Sequence, residues 1–234
     1  MSKRKRLGQH FLVSENVAKS IVSAAKLTKN DVVLEIGTGR GILVPLLCNK
    51  AKKVISIEYD KLLYRDAIIK FSNISNLTLK HGNGFKTNEK FSVFVSNLPY
   101  SQSRKAIEWL IQKNYSKAVI MVQEDFAKKL LNNQKNHKAI SVLVNYATDI
   151  VPILNVKKTN FFPQPKVHST VIKLTRKKSV SKNLIQTVHK LFSYRRKTLQ
   201  NILKQFGENI QSKKRIDDLT GDEIIKIAKR INKK

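Results

Sequence analysis

The chain has 234 residues, of which 41% are hydrophobic, so it can bury a sizeable core and is not a disordered basic tail. Its 46 Lys and Arg against 16 Asp and Glu give a formal charge of +30, which favours a polyanionic partner. A proteome that is rich in lysine is the alternative explanation for part of this excess. The single cysteine, Cys48, excludes an internal disulfide framework, no Cys or His spacing is typical of a metal site, and no apolar stretch is typical of a signal peptide or a membrane span.

A glycine-rich turn follows the first predicted strand. That strand, at 31–36, comes after a helix whose predicted N-cap is Ser14, and the turn Gly-Thr-Gly-Arg-Gly at 37–41 leads into a second helix. Glycines at such a turn let the backbone approach a ligand closely. The next strand, 54–57, ends in Glu58, about 20 residues beyond the glycines, where doubly wound folds hold ribose hydroxyls. The spacing G-x-G-x-G suits S-adenosylmethionine better than a dinucleotide, and a plain strand–turn–helix corner is the alternative for the glycines alone.

The following elements alternate between strands and helices. Strands are predicted at 77–81, 91–96 and 118–122, helices at 106–111 and 124–131, and strand or helix material for the far edge of a sheet at 140–146, 150–156 and 167–174. This alternation predicts an α/β fold with a mostly parallel sheet covered on both faces.

The fourth strand runs into the tetrapeptide Asn-Leu-Pro-Tyr at 97–100, which is a poor way to continue a strand and a good way to build a rigid site. The side-chain oxygen of Asn97 and the backbone carbonyl of residue 98 or 99 can accept the two hydrogens of an amino group conjugated with a ring. Such contacts draw the nitrogen lone pair out of the plane and aim it at a methyl donor. Pro99 fixes φ, and Tyr100 offers a face to a planar base. An ordinary strand-ending turn is the alternative.

The composition changes near residue 176, where aliphatic residues at helical spacing and many lysines replace the strand-like alternation. A stiff aromatic loop at 160–166 precedes this change, and a last helix is predicted at 222–231. We therefore predict two domains, 1–175 and 176–234. The basic run at 195–197 is either a phosphate-contacting element or only a solvated helix face.

Six motifs in order resemble those of the ribosomal RNA adenine dimethyltransferases. They lie at 8–12, 35–41, 97–100, 121–124, 161–167 and 192–199, and the resemblance runs from about residue 7 to residue 203. Within the family, the motifs at 8–12, 161–167 and 192–199 are most similar to the small-subunit (KsgA-type) branch, with the Erm branch, which acts on large-subunit RNA, as the sister group.

The resemblance implies a Rossmann-like S-adenosylmethionine-dependent methyltransferase domain at 1–175 and a small, basic, helical RNA-binding domain at 176–234. The implied activity is dimethylation of N6 on two adjacent adenosines near the 3′ end of small-subunit rRNA, with a role in ribosome biogenesis. Asn97 and Tyr100 are implied as catalytic. The implied cofactor-binding residues are His10, Leu12, Gly37, Gly39, Glu58, Asn83 and Asn97, and the implied substrate-binding residues are Pro99, Tyr100, Phe161, Arg195 and Arg196.

Two of these assignments carry particular alternatives. Asn83 stands where the family usually has aspartate, which keeps an acceptor beside the cofactor's adenine and loses the charge. Phe161 and Tyr100 are expected to sandwich a flipped adenine, unless Phe162 is the exposed ring and Phe161 belongs to the core.

Other functions are compatible with parts of the pattern. Asn-x-Pro-Tyr also serves methyltransferases for DNA adenine or a glutamine amide, but the basic carboxyl-terminal domain argues against the glutamine reaction and the absence of a target-recognition domain against the DNA reaction. An Erm-like large-subunit enzyme and a ribosome-assembly factor that mainly binds RNA are the remaining alternatives. We expect a cytoplasmic monomer that binds rRNA within small-subunit particles, with no membrane and no metal.

Overall fold

The computed structural model describes residues 9–131 and 138–233, so the basic residues at 3–6 and Gly8 of the first motif lie outside the described residues. The chain divides into two compact units. The first comprises Met1–Ala106, Asn114–Ala127 and Val151–Thr175, and the second comprises Ile107–Lys113, Lys128–Ile150 and Arg176–Lys234.

The strands form one large sheet and one short ladder. In chain order they are β1 (Phe11–Leu12), β2 (Val32–Ile36), β3 (Lys53–Glu58), β4 (Leu77–His81), β5 (Val93–Ser96), β6 (Lys117–Gln123), β7 (Thr148–Val156), β8 (Phe161–Phe162) and β9 (Ser169–Arg176). The large sheet has the order β4-β3-β2-β5-β6-β9-β7, in which β2 to β6 pair in parallel and β9 runs antiparallel to β6. The predicted mostly parallel sheet is therefore confirmed.

The strand order reverses between β2 and β5, because β3 and β4 extend the sheet to one side and β6 to the other. In open α/β sheets, ligands bind outside the carboxyl ends of the strands at such a switch point. The glycine turn follows β2 and the tetrapeptide 97–100 follows β5, so the topology brings these two motifs to the same place.

Nine helices lie in the described part of the chain. They are α1 (Glu15–Ala24), α2 (Val44–Lys50), α3 (Lys61–Lys70), α4 (Ser103–Leu110), α5 (Glu124–Leu131), α6 (Ala139–Ala147), α7 (Lys182–Ser193), α8 (Leu199–Lys204) and α9 (Gly221–Ile231). Ser14 caps α1 as predicted, since its side chain accepts a hydrogen bond from the backbone N–H of Val17.

The short ladder between β1 and β8 was not predicted. It is antiparallel, with Phe11 opposite Phe162 and Leu12 opposite Phe161. The backbone N–H of Val13 extends it by donating to the carbonyl of Asn160 at 2.9 Å. The ladder pairs the amino-terminal motif with the aromatic loop, and both segments belong to the first unit.

Residues 140–146 do not contribute to the sheet edge as predicted. They form α6, which packs against α7 and α9 within the second unit. Its residues Ile140, Leu143 and Val144 are buried there. A helix that is apolar on most sides suits a sheet face or a helical bundle equally well, and long-range packing decides between them. The division predicted from composition, 1–175 and 176–234, thus differs from the structural one by the segments Ile107–Lys113 and Lys128–Ile150.

Candidate active site

The glycine turn after β2 is fixed to the neighbouring strand β3. The backbone N–H of Gly37 donates to the carbonyl of Ile57 at 2.7 Å. Gly39 has φ +57°, which favours glycine, and a Cβ there would lie 3.4 Å from the Phe11 ring. Gly41 has φ +75°, and a Cβ there would in addition lie 2.3 Å from the Phe71 ring. The turn is therefore shaped by both its conformation and its packing.

Glu58 is held at the end of β3 by two backbone groups. Its Oε2 accepts from the N–H of Gly39 and its Oε1 from the N–H of Asp60, each at 2.8 Å. The residue is only 5% exposed, yet it lines the pockets described below. Each carboxylate oxygen can accept a further hydrogen bond, so Glu58 presents a matched pair of acceptors for two neighbouring hydroxyls.

A second carboxyl group, Glu35, is buried within β2 beneath the glycine turn. Its Oε2 accepts from the Ser56 hydroxyl at 2.5 Å, and Ser56 shares a further hydrogen bond of 2.6 Å with the Thr38 hydroxyl. Burial, assisted by the nearby charge of Glu58, raises the pKa of Glu35 to about 8, although the Ser56 hydrogen bond acts in the opposite direction. Glu35 is therefore mostly protonated at neutral pH. Sequence reasoning gave it no separate role, although an acidic residue inside an apolar strand was a visible signal.

Two adjoining pockets lie at the switch point, with empty volumes of about 590 and 880 Å³. Both are lined by Gly37, Glu58 and Pro99. The other residues predicted from sequence divide between them, with His10, Leu12, Gly39 and Asn97 lining the first and Asn83 the second. Lining residues without a predicted role include Gln9, Thr38, Arg40, Phe85, Gln102 and Lys105.

These pockets fit S-adenosylmethionine. The paired acceptors of Glu58 suit ribose hydroxyls, and the glycine turn leaves the backbone accessible beside them. The Oδ1 of Asn83 accepts from the backbone N–H of Phe85 at 3.1 Å, which leaves one further acceptor position on that oxygen.

The tetrapeptide 97–100 is anchored on both sides. The hydroxyl of Ser96 donates to the carbonyl of Ile36 at 2.5 Å, which joins the end of β5 to the end of β2. Asn97 is half-buried and lines the first pocket. The Tyr100 hydroxyl shares a hydrogen bond of 2.6 Å with that of Ser169. Burial raises the pKa of Tyr100 against this hydrogen bond, so its phenol stays neutral.

His10 connects the tetrapeptide to the aromatic loop. Its ring stacks on that of Tyr100 with centroids 5.9 Å apart, and its Nδ1 lies 2.7 Å from the carbonyl oxygen of Pro163. These contacts join residues that are far apart in sequence. They also place His10, a predicted cofactor-binding residue, at the first pocket.

The structure corrects the expected exposure of Phe161. Its ring is 4% exposed and belongs to the apolar core of the first unit, whereas the ring of Phe162 is 62% exposed. Successive side chains of a strand point to opposite faces, so only one of the two rings can reach solvent. Phe161 is therefore not an accessible platform for a base.

Arg195 is also placed differently from its predicted role. Its Nε and Nη2 donate to both carboxylate oxygens of Asp217, at distances from 2.7 to 3.1 Å. This is a bidentate ion pair within the second unit, so the guanidinium is already engaged. Arg196, the next residue, is exposed.

The described residues contain neither a cluster of metal ligands nor a helix that could span a membrane. Within 9–131 and 138–233, no group of three or more His, Cys, Asp or Glu side chains is arranged to hold a metal ion. None of the helices in those ranges has the length and apolar character that a membrane span requires.

The fold and the site together define a class of protein. The parallel sheet has a glycine turn after β2, a carboxylate at the end of β3 and Asn-Leu-Pro-Tyr at the switch point. These features together are typical of a Rossmann-like S-adenosylmethionine-dependent methyltransferase. The protein is accordingly an enzyme that transfers methyl groups.

Comparison with known proteins identifies the family. The family model described as ribosomal RNA adenine dimethylase matches residues 1–233, and the chain belongs to this family. It is 32% identical to the ribosomal RNA small subunit methyltransferase A of Borreliella burgdorferi (strain ZS7), over 98% of this chain and 89% of that protein.

Solved structures agree in fold. A dimethyladenosine transferase from Plasmodium falciparum superimposes with a TM-score of 0.82 and 27% identity, covering 96% of this chain and 98% of that one. The 23S rRNA methyltransferase ErmE gives a TM-score of 0.72 over 95% and 99% of the two chains, but its 20% identity supports the fold alone.

Proposed function

We propose that this enzyme dimethylates N6 of two adjacent adenosines near the 3′ end of small-subunit rRNA, acting as a cytoplasmic monomer on small-subunit particles. The observation that carries the proposal is the placement of Asn97 in the same pocket as Glu58. The name of the Borreliella relative supports the small subunit as substrate. The charge of +30 suits a polyanionic particle.

The cofactor is held by the two adjoining pockets. S-adenosylmethionine supplies an electrophilic methyl group on a sulfonium. Glu58 accepts from the ribose hydroxyls, and Gly37 and Gly39 keep the backbone of the turn open to the methionine side. His10 and Leu12 line the same pocket, and Asn83 and Asn97 complete the binding set.

Asn97 positions the target amine. Its side-chain oxygen accepts one amino hydrogen, and the carbonyl of Leu98 or Pro99 accepts the other. Because these acceptors are fixed by the anchored tetrapeptide, they favour a nitrogen whose lone pair points out of the ring plane. The contribution of these residues to the reaction is therefore orientation and fixed dipoles.

The RNA is held by groups of two kinds. Tyr100 offers its ring as a stacking surface for the flipped adenine, and Pro99 shapes the wall beside it. Arg196 contacts phosphate, because its side chain is exposed and makes no ion pair with another of the described residues.

The test is mass spectrometry of rRNA from cells with and without this gene, followed by methyl transfer to the undermethylated particles by purified protein. Loss of dimethyladenosine near the 3′ end of small-subunit rRNA, with restoration in vitro, is the expected result. A change confined to large-subunit RNA would replace the proposal by an Erm-like activity. Unchanged RNA in both subunits would replace it by a role in assembly without methylation.

A further inference from the structure

An exposed aromatic and cationic surface borders the first pocket, which Phe11 and Arg40 also line. We name Phe11, Arg40 and Phe162 the outer platform. The guanidinium carbon of Arg40 lies 4.9 Å from the Phe11 ring centroid and 5.7 Å from that of Phe162. Arg40 is exposed, Phe11 is buried and Phe162 is 62% exposed, so the platform has a packed base and an open aromatic surface.

The outer platform is rigid. Phe11 and Phe162 are direct partners in the β1–β8 ladder, and the carbonyl of the following residue, Pro163, is in contact with His10 Nδ1 at 2.7 Å. A single exposed apolar side chain is ordinary on a protein surface. An exposed ring fixed by a strand ladder and backed by a guanidinium is different, because little conformational freedom remains to be lost when a planar ligand stacks on it.

The outer platform is continuous with the target site. Tyr100 stacks on His10, His10 precedes Phe11 in the chain, and Phe11 faces Phe162 across the ladder. The half-buried ring of Tyr100 and the exposed ring of Phe162 are thus connected through His10 and Phe11 within the first unit. A ring stacked on a base and a cation near a phosphate are the two contacts by which proteins hold single-stranded nucleic acid.

We propose that Phe162, backed by Arg40, stacks the nucleotide adjacent to the target adenosine while Tyr100 holds the target itself. The inference rests on the proposed function, since it takes single-stranded RNA as the ligand. It adds that the neighbour of the target is unstacked at the same time and held at a defined place. For two adjacent targets, the outer platform holds one adenosine while the other reacts.

The test compares Phe162→Ala and Phe162→Tyr with a control, Val167→Ala, on undermethylated small-subunit particles. Val167 is apolar, 41% exposed and a few residues along the same loop, and it lines neither cofactor pocket. We expect Phe162→Ala to raise the KM for particles on the order of tenfold, the size of one lost base stack. We expect kcat and the calorimetric Kd for S-adenosylmethionine to stay unchanged. Phe162→Tyr and Val167→Ala should behave as wild type.

The distribution of products is a second measurement, and a purely structural role of Phe162 would leave it unchanged. Mass spectrometry of single turnovers should show, for Phe162→Ala, a larger share of particles with only one of the two adenosines modified. If Phe162→Ala left both the KM and the product ratio unchanged, the inference would be overturned. The proposed function would still stand in that case, provided that the wild-type protein methylates the particles. If the wild-type protein methylated no particle, the proposed function would be wrong. The outer platform would then also lack the RNA ligand that the inference assigns to it.

Arg40 is tested separately, because it also lines the first pocket. Arg40→Gln should weaken particle binding and lower the slope of log affinity against log salt by about one, as expected for one lost phosphate contact. Its Kd for S-adenosylmethionine is measured alongside. An unchanged salt slope would remove Arg40 from the proposed RNA contact.

Discussion

The cofactor side of the site and the residues predicted to face RNA are held in different ways. Glu58, Gly37 and Gly39 are fixed by backbone hydrogen bonds at the ends of adjacent parallel strands. The RNA-facing predictions depended on single side chains, and Phe161 proved to be buried and Arg195 to be paired with Asp217. The positions of residues that are placed by the topology were thus predictable from motifs, whereas the exposure or the partner of a single side chain was not.

The contrast has a physical basis. The carboxyl ends of parallel strands lie at the same edge of the sheet, and this placement does not depend on the direction of any one side chain. The direction of a side chain in a short ladder, or the partner of one arginine, depends on a second segment elsewhere in the chain.

The largest effect is expected for Asn97→Ala. Removing the side-chain acceptor should lower kcat for methyl transfer by about 10²–10³-fold, as for other preorganised dipoles at a reacting group. Particle binding should stay within about twofold of wild type, since Asn97 contributes orientation rather than phosphate contact. Asn88→Ala, an exposed asparagine outside both pockets, is the matched control. Full turnover in the Asn97 variant would contradict the assigned role.

Glu58→Ala should act on the cofactor and spare the RNA. Loss of charged hydrogen bonds worth about 1.5–3 kcal/mol corresponds to a Kd for S-adenosylmethionine that rises roughly 10- to 150-fold. Calorimetry with cofactor and filter binding with particles separate the two affinities. Glu15→Ala, at an exposed carboxylate on α1, should change neither. A larger loss of particle affinity than of cofactor affinity would be incompatible with the assignment.

Glu35 should make stability depend on pH. Its folded pKa of about 8 lies above the ordinary value of 4.5, so between pH 4.5 and pH 8 the unfolded chain binds fewer protons than the folded one. The stabilising contribution is complete below the unfolded pKa and is lost as pH rises through the folded pKa, with a slope approaching about 1.4 kcal/mol per pH unit.

Glu35→Gln should remove this slope, because the amide keeps the shape and does not ionise. The measurement is the free energy of unfolding in urea at several pH values from 5 to 8, taken as the difference between wild type and variant so that the other charges cancel. A difference that stays constant with pH would show that Glu35 does not retain its proton in the folded protein.

The smallest effects distinguish two adjacent arginines. Arg195→Ala should lower the free energy of unfolding by about 1–2 kcal/mol, because it breaks a half-buried bidentate pair with Asp217. Arg196→Ala should leave stability unchanged and lower the salt slope of particle binding by about one.

A double-mutant cycle with Asp217→Asn checks the first of these assignments. If Arg195 stabilises the second unit through Asp217, the double variant should lose little more stability than either single variant. Additive losses would mean that the two side chains act independently. If Arg195→Ala changed the salt dependence of particle binding as much as Arg196→Ala does, Arg195 would have to contact the RNA as well.

The sequence by itself determined the parts of the protein that depend on local pattern. Short apolar runs and apolar residues at helical spacing located β2 to β6 and several helices, and the spacing from the glycine turn to Glu58 placed both at one edge of a parallel sheet. The order of the motifs was enough to identify the family, which the family model confirms over residues 1–233.

Only the tertiary structure decided which of Phe161 and Phe162 is exposed, because the answer lies in a ladder with residues about 150 positions earlier in the chain. It likewise decided that Arg195 meets Asp217, that α6 packs against α7 and α9, and that Glu35 is buried deeply enough to keep its proton. Each of these depends on which distant residues fill the space around a side chain, and that information is absent from any local window of the sequence.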